Sequence, residues 1–156
     1  MINQIDLLLV EDNPNDVELT THALRLHAPD LSIKVARDGV EALQILGIDP
    51  GKAADESFDD FAPLTPQVLP RFILLDLKIP LIPGVEVLKL VKSSPSTQAI
   101  PVIVLSTSRE QRDVQATYDA GVNSYLTKPV VFQQFNDMIK LVANYWLHIN
   151  EQSKLC

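Results

Sequence analysis

Short, nearly continuous apolar runs alternate along this chain with stretches of helical length. The runs are Ile5-Asp6-Leu7-Leu8-Leu9-Val10, Arg71-Phe72-Ile73-Leu74-Leu75 and Val102-Ile103-Val104-Leu105, with a shorter Ser124-Tyr125-Leu126. Runs this continuous and this rich in Val, Ile and Leu belong to strands buried on both faces, as in a parallel sheet covered by helices. Leu31-Ser32-Ile33-Lys34-Val35 alternates apolar with polar and reads as an edge strand. Asn13-Pro14-Asn15-Asp16 supplies capping residues and a proline for a first helix, which runs to about His27 before Ala28-Pro29-Asp30 stops it. Asp38-Gly39-Val40-Glu41-Ala42-Leu43 opens a second helix, and a third follows Pro83-Gly84 with Val87, Leu88 and Val91 on one face. A weakly apolar fourth spans Ser108 to about Ala120, and a fifth spans Val131 to about Ile149. Strand followed by helix, five times over, is an α/β layout.

Two segments break this rhythm. Gly47 to Pro70 holds Pro50, Pro63, Pro66 and Pro70 with Asp55, Glu56, Asp59 and Asp60. It is too long for an ordinary connection and too rich in proline for a helix throughout, so it reads as a solvated acidic loop at about 47–70. Both partner docking and a tolerated surface insertion fit that loop. In the fifth helix, Phe132, Phe135, Ile139, Val142 and Trp146 form one stripe, and Met138, Leu141, Tyr145 and Ile149 form a second beside it. Together they cover roughly half the circumference, more than the arc of about 100° that one sheet face buries. The second stripe either packs under neighbouring loops or serves association; we favour association.

Composition narrows the setting. The 156 residues suffice for one domain, and 46% of them are hydrophobic, as in ordinary globular proteins. The net charge of -7 argues against nucleic acid, whose binding depends on many Lys and Arg contacts. The only cysteine, Cys156, permits no internal disulfide and points to a reducing compartment. No apolar stretch approaches the roughly 20 residues of a membrane span, and Met1-Ile2-Asn3-Gln4 lacks a basic leader. A cytoplasmic location is expected.

The strand ends carry the chemistry. Glu11 and Asp12 close the first run, Asp76 the third strand, Ser106-Thr107-Ser108 the fourth and Thr127-Lys128-Pro129 the fifth. Open α/β sheets build their sites at the carboxyl ends of their strands. Like charges about 4 Å apart repel by about 4 kcal/mol at an effective dielectric near 20, so the acids need a counter-charge. Lys128 offers one, and a hard, oxygen-seeking cation such as Mg2+ offers another. Zinc would need His or Cys, and His22, His27 and His148 read as surface residues. A carboxylate beside such a cation can attack a phosphoryl donor and form an aspartyl phosphate. Lys128 would offset the added charge, and Ser106 could hydrogen-bond a phosphoryl oxygen. Lys128-Pro129 is a candidate cis bond. Taken singly, a strand-end Asp is as often a helix cap; together and in order, the set is distinctive.

These residues resemble the receiver domain of two-component response regulators. The similarity rests on Leu7-Leu8-Leu9-Val10-Glu11-Asp12-Asn13, Ala36-Arg37-Asp38-Gly39-Val40-Glu41-Ala42-Leu43, Ile73-Leu74-Leu75-Asp76-Leu77-Lys78-Ile79-Pro80 with Gly84, Ile100-Pro101-Val102-Ile103-Val104-Leu105-Ser106, and Ala120-Gly121-Val122-Asn123-Ser124-Tyr125-Leu126-Thr127-Lys128-Pro129. The resemblance implies a flavodoxin-like fold of three layers, with a parallel five-stranded sheet in the order 2-1-3-4-5. It implies a single receiver domain over 1–156, with no fused DNA-binding or enzymatic output. Carried over, Asp76 is the phosphoacceptor. Glu11, Asp12, Asp76 and the main-chain carbonyl of Lys78 hold Mg2+, and Lys128 is the family's amine. Ser106 is the switch hydroxyl and Tyr125 the switch aromatic, although a half-buried core tyrosine would read the same way. The phosphoryl donor would be a phosphohistidine of a sensor histidine kinase, so the chain is no enzyme in the ordinary sense. It assists its own phosphorylation and dephosphorylation.

The long loop before the third strand and Ser106-Thr107-Ser108 look like the small regulators paired with bacterial phytochrome kinases. That likeness implies a homodimer through the fourth helix, fifth strand and fifth helix. Pro83 and Lys78 depart from the family's usual residues there. Among rival readings, a pseudo-receiver would not need Asp12, Asp76, Ser106 and Lys128 intact. An Asp-nucleophile phosphohydrolase commonly needs a second acid where Lys78 stands. A flavin carrier would be repelled by Glu11-Asp12.

Overall fold

The computed structural model describes residues 4–52 and 69–153. Five parallel strands, β1 (Leu7–Val10), β2 (Ile33–Ala36), β3 (Phe72–Leu75), β4 (Val102–Ser106) and β5 (Ser124–Thr127), form one sheet in the order β2-β1-β3-β4-β5. Five α-helices connect or follow them: α1 (Pro14–His27), α2 (Gly39–Leu46), α3 (Gly84–Ser93), α4 (Gln111–Asp119) and α5 (Phe132–Asn144). This is the doubly wound order expected from the sequence.

Strand alternation divides the core into two layers. Leu8, Val10, Ile73, Leu75, Val102 and Val104 face one way and bury Leu43 and Leu46 of α2 and Val87, Leu88 and Val91 of α3. Leu7, Leu9, Phe72, Leu74, Ile103 and Leu105 face the other way and bury Leu24 of α1 with Phe135, Ile139 and Val142 of α5. Period-2 side-chain direction requires this split, and it explains why the strands read as unbroken apolar runs. The chain leaves β1 toward one layer and β3 toward the other. A crevice therefore opens at the carboxyl ends of these adjacent strands.

Local signals set the helix ends. Asn13 Oδ1 accepts from the amides of Asn15 (2.9 Å) and Asp16 (3.3 Å), with Pro14 in the first turn of α1. Asp38 caps α2 by accepting from the Glu41 amide at 2.7 Å. Gly47 ends α2 in the left-handed region at φ 70°, where a side chain would be disfavoured.

Several expectations need adjustment. The edge strand begins at Ile33 rather than Leu31, because Leu31 is spent on a turn bond to the Ala28 carbonyl. α4 begins at Gln111 rather than Ser108, whose hydroxyl instead accepts from the Glu110 amide and donates to Asp113. The fifth helix is not uniform to Ile149: it is α-helical to Asn144 and π-helical over Tyr145–Ile149. Its first stripe is buried except for exposed Phe132 and half-buried Trp146. Of the second stripe, Met138 packs on the core while Leu141, Tyr145 and Ile149 stay exposed. The Lys128–Pro129 bond is trans. Pro50–Lys52 form a short 3-10 turn at the start of the acidic loop; Asp55, Glu56, Asp59 and Asp60 lie outside the described residues, as does Cys156. Among the described residues, no helix is long and apolar enough to cross a membrane.

The β3–α3 loop is tightly built. Ile82 donates to the Pro80 carbonyl at 2.9 Å, which closes a three-residue turn around Leu81 at φ 70°. That conformation is strained for a branched side chain. Gly84 lies against the backbone of Asp76 and Leu77: a Cβ there would stand 2.5 Å from the Asp76 carbonyl oxygen and 2.7 Å from the Leu77 Cα. The absent side chain lets α3 start beneath the strand end. Gly84→Ala should therefore lower unfolding free energy by roughly 1–3 kcal/mol. Denaturant titration checks this; an unchanged midpoint would mean that the loop can give way.

Candidate functional site at the strand ends

Backbone pairing delivers Glu11, Asp76 and Lys128 to the crevice. The Glu11 amide donates to the Ala36 carbonyl at 3.0 Å, and the Asp76 amide donates to the Val10 carbonyl at 3.0 Å. The first bond ties the end of β1 to β2, and the second holds the end of β3 beside β1. The Lys128 amide donates to the Ser106 carbonyl at 2.8 Å, which places the lysine one residue beyond β5 and beside the end of β4.

One carboxylate oxygen from each of Glu11, Asp12 and Asp76 lies within 4.8 Å of the others. The Lys128 ammonium reaches Glu11 Oε2 at 2.7 Å, Asp76 Oδ2 at 3.2 Å and Asp16 Oδ2 at 3.3 Å. Asp76 Oδ1 accepts from the Lys78 amide at 3.2 Å, so its two oxygens have different partners. Glu11 Oε1 accepts from the Asn13 amide at 3.2 Å. The side chains of Glu11, Lys128 and Asp76 are 5%, 11% and 12% exposed, whereas Asp12 is open to solvent.

Burial dominates the electrostatics of Glu11. It pushes the carboxyl up to about 7 from an ordinary 4.5; the Lys128 hydrogen bond pulls the other way, and the Asp76 charge adds to the rise. Burial also pulls the Lys128 ammonium down, but the Glu11 hydrogen bond and the charges of Asp76, Glu11 and Asp16 outweigh it and hold the amine above its ordinary range. We take Lys128 as charged throughout, because three carboxylates contact it.

The remaining expected residues lie beside this cluster. Ser106 is buried, and its Oγ accepts from the Ser108 amide at 3.2 Å. The Tyr125 hydroxyl donates to the Ser108 carbonyl at 2.8 Å. Both residues named as switch elements thus converge on one short loop, whose Ser108 hydroxyl also engages Asp113 of α4. Lys78 contributes its amide to Asp76, and its side chain points to solvent. His22, His27 and His148 are exposed, away from the acid cluster.

Asp16 is the residue that sequence reasoning missed. Its position in the first turn of α1 suggests only helix capping. The available signal was its spacing of four from Asp12, one helical turn past the end of β1.

The acids offer hard oxygen donors with open positions, which suits a divalent cation bound partly by water and phosphate oxygens. Fold and crevice together define a doubly wound α/β protein with an acidic, lysine-bridged site at its switch point.

The chain belongs to the response regulator receiver domain family, whose model matches residues 7–140. It is 36% identical over 144 residues to the probable methanogenesis regulatory protein FilR2 of Methanothrix harundinacea, covering 92% of this chain and 84% of that protein. It is 34% identical over 141 residues to response regulator Rcp1 of Synechocystis, covering 90% of this chain and 88% of Rcp1. The crystal structure of the Mn2+-bound form of Rcp1 superposes with a TM-score of 0.75 at 31% identity, over 94% of this chain and 97% of that one. That of the phosphorylated cyanobacterial phytochrome response regulator RcpA gives 0.78 at 32% identity, over 97% and 99%. The chain is therefore a receiver-domain response regulator related to the phytochrome-associated regulators.

Glu11 binds its proton more tightly in the fold than in the unfolded chain. The stability this proton confers is complete below pH 4.5 and is lost as pH rises through about 7. In chelator, the parent should lose stability relative to Glu11→Gln across that interval, with a slope of up to about 1.4 kcal/mol per pH unit. Parallel denaturation profiles of the two proteins would show that Glu11 ionises as it does in water.

Proposed function

We propose that this protein accepts a phosphoryl group on Asp76 from a phosphohistidine of a sensor histidine kinase, of the phytochrome type, in a Mg2+-dependent relay. The observation that carries the reading is the position of Asp76: a nearly buried carboxylate with one oxygen on Lys128 at 3.2 Å, the other on a loop amide, and two more acids alongside. Asp76 attacks phosphorus, and the histidine's P–N bond breaks. The bonding pair leaves with the imidazole, which is neutral because its second nitrogen keeps a proton. Lys128 compensates the charge that builds on the phosphoryl oxygens, from a site shielded from water. Glu11, Asp12, Asp76 and the Lys78 carbonyl would hold Mg2+, which when bound supplies further charge compensation. The acyl phosphate is a covalent state of the protein and turns over by hydrolysis, so the chain serves as a phosphoacceptor and not as an enzyme acting on other molecules.

The same geometry supports a switch. Added charge at Asp76 draws the Ser106 hydroxyl inward and shifts the population of the loop to which Tyr125 is bonded. Because Ser108 ties that loop to Asp113, the change reaches α4. Exposed Tyr118 on α4 and Leu141, Tyr145 and Ile149 near the chain's end supply apolar area for a homodimer through α4, β5 and α5. Leu81 in the loop after Asp76, and Val130, Val131 and Phe132 in the segment after Lys128, are exposed and offer apolar contacts to the kinase. The fold and charge fit a cytoplasmic regulator that binds neither DNA nor membrane.

Incubation with acetyl phosphate and Mg2+ should add the mass of one phosphoryl group, and Asp76→Ala should abolish the adduct. An adduct that survives this substitution would sink the reading. The Lys78 side chain is exposed next to Asp76, and its charge shields the acyl phosphate from hydrolysis. Lys78→Asn should hasten dephosphorylation several-fold in a chase experiment; an unchanged rate would remove Lys78 from the account.

A further inference from the structure

Lys128 carries three N–H donors, and three different carboxylates face it. An arriving phosphoryl oxygen can be bonded only if one of them gives way. Glu11 is the poorest candidate: its contact is the shortest, at 2.7 Å, and its side chain is 5% exposed, so releasing it would strand a buried acid. Asp76 is the attacking group itself. Asp16 has the longest contact, at 3.3 Å, and a side chain 39% exposed, so water can take over its hydrogen bonds at little cost. Its backbone is independently fixed, because its amide donates to the Asn13 cap in the first turn of α1. The Asp16 backbone is thus held beside the site whether or not its carboxylate touches the ammonium.

We propose that Asp16 is a positioning residue that parks one Lys128 N–H at the solvent side of the crevice and surrenders it to the phosphoryl group. This rests on the reading of Asp76 as phosphoacceptor and adds a residue to it. The contact has two effects. It engages one N–H of the ammonium on the more exposed side of the crevice, opposite the buried Glu11 contact, from which side a phosphoryl donor must approach. It also competes with the phosphoryl oxygens for the same N–H, so that the phosphorylated state is less stable than it would be without Asp16. A residue that served only to hold up the helix would weaken the bound state when removed; this one strengthens it.

The test uses beryllium fluoride as a tetrahedral phosphoryl mimic, titrated with saturating Mg2+ into the full chain. Asp16→Asn and Asp16→Ala should each bind the mimic about fivefold more tightly than the parent, the scale of one partly screened charge contact. Asp16→Glu, which keeps the charge on a longer stem, should return to the parent's affinity. Glu18→Gln, which removes an exposed charge from the same helix without touching Lys128, should match the parent and so separates the contact from general charge reduction. Unchanged or weaker binding in both Asp16→Asn and Asp16→Ala overturns the inference, as does equal tightening by Glu18→Gln. Absence of both mimic binding and acetyl phosphate labelling in the parent overturns the phosphoacceptor reading, and the inference with it. Labelling of the parent with no gain in the Asp16 variants overturns the inference alone.

Discussion

Repulsion among carboxylates gathered at the ends of two parallel strands is the constraint that the rest of the site answers to. β1 and β3 are neighbours in register, with Val10 beside Leu75, so Glu11, Asp12 and Asp76 cannot separate without breaking the sheet. The sheet in turn is held by two apolar layers that bury both of its faces. Hydrophobic burial therefore maintains an electrostatic arrangement that the charges alone would not adopt. Lys128 on three carboxylates is the response built into the chain, and the Glu11 pKa is raised chiefly by burial, with the Asp76 charge adding to the rise.

This stored conflict gives the site its chemistry. A cluster satisfied by its own protein groups would have no reason to take up a cation or an anion. Here one ammonium contacts three acids, and a fourth, Asp12, remains open to solvent. A bound cation, or the phosphoryl group proposed for Asp76, would redistribute this charge. The Ser106–Ser108–Tyr125 bonds lie immediately beside it, and Ser108 also engages α4. Any change in charge at Asp76 is thereby placed within a few bonds of an exposed helix.

Much of this was legible in the residues. The runs ending in Glu11-Asp12, Asp76, Ser106 and Lys128 gave strands, their burial on both faces and the gathering of acids, because apolar continuity and strand direction are local properties. Helix ends were less legible. Ser108 was expected inside α4, yet its hydroxyl serves the turn before that helix. Ser, Asp and Asn bond to whichever backbone group the tertiary fold presents, and pattern alone does not say which. Tyr145–Ile149 kept a helical pattern while the backbone widened to π geometry, a change that side-chain periodicity does not register.

By itself, the sequence determined the order of elements, the alternation that sorts side chains between two core layers, and the types of donor at the strand ends. Those follow from hydrophobic period and residue chemistry, which are carried by neighbours in the chain. Only the tertiary structure decided how the donors meet: that Lys128 bridges Glu11, Asp76 and also Asp16, that Asp76 divides its oxygens between an ammonium and an amide, and that Leu141, Tyr145 and Ile149 are left uncovered. Residues 16 and 128 lie 112 positions apart. Their contact depends on α1 starting at the end of β1 while the Lys128 side chain reaches across from the end of β5, an arrangement fixed by packing across the whole core.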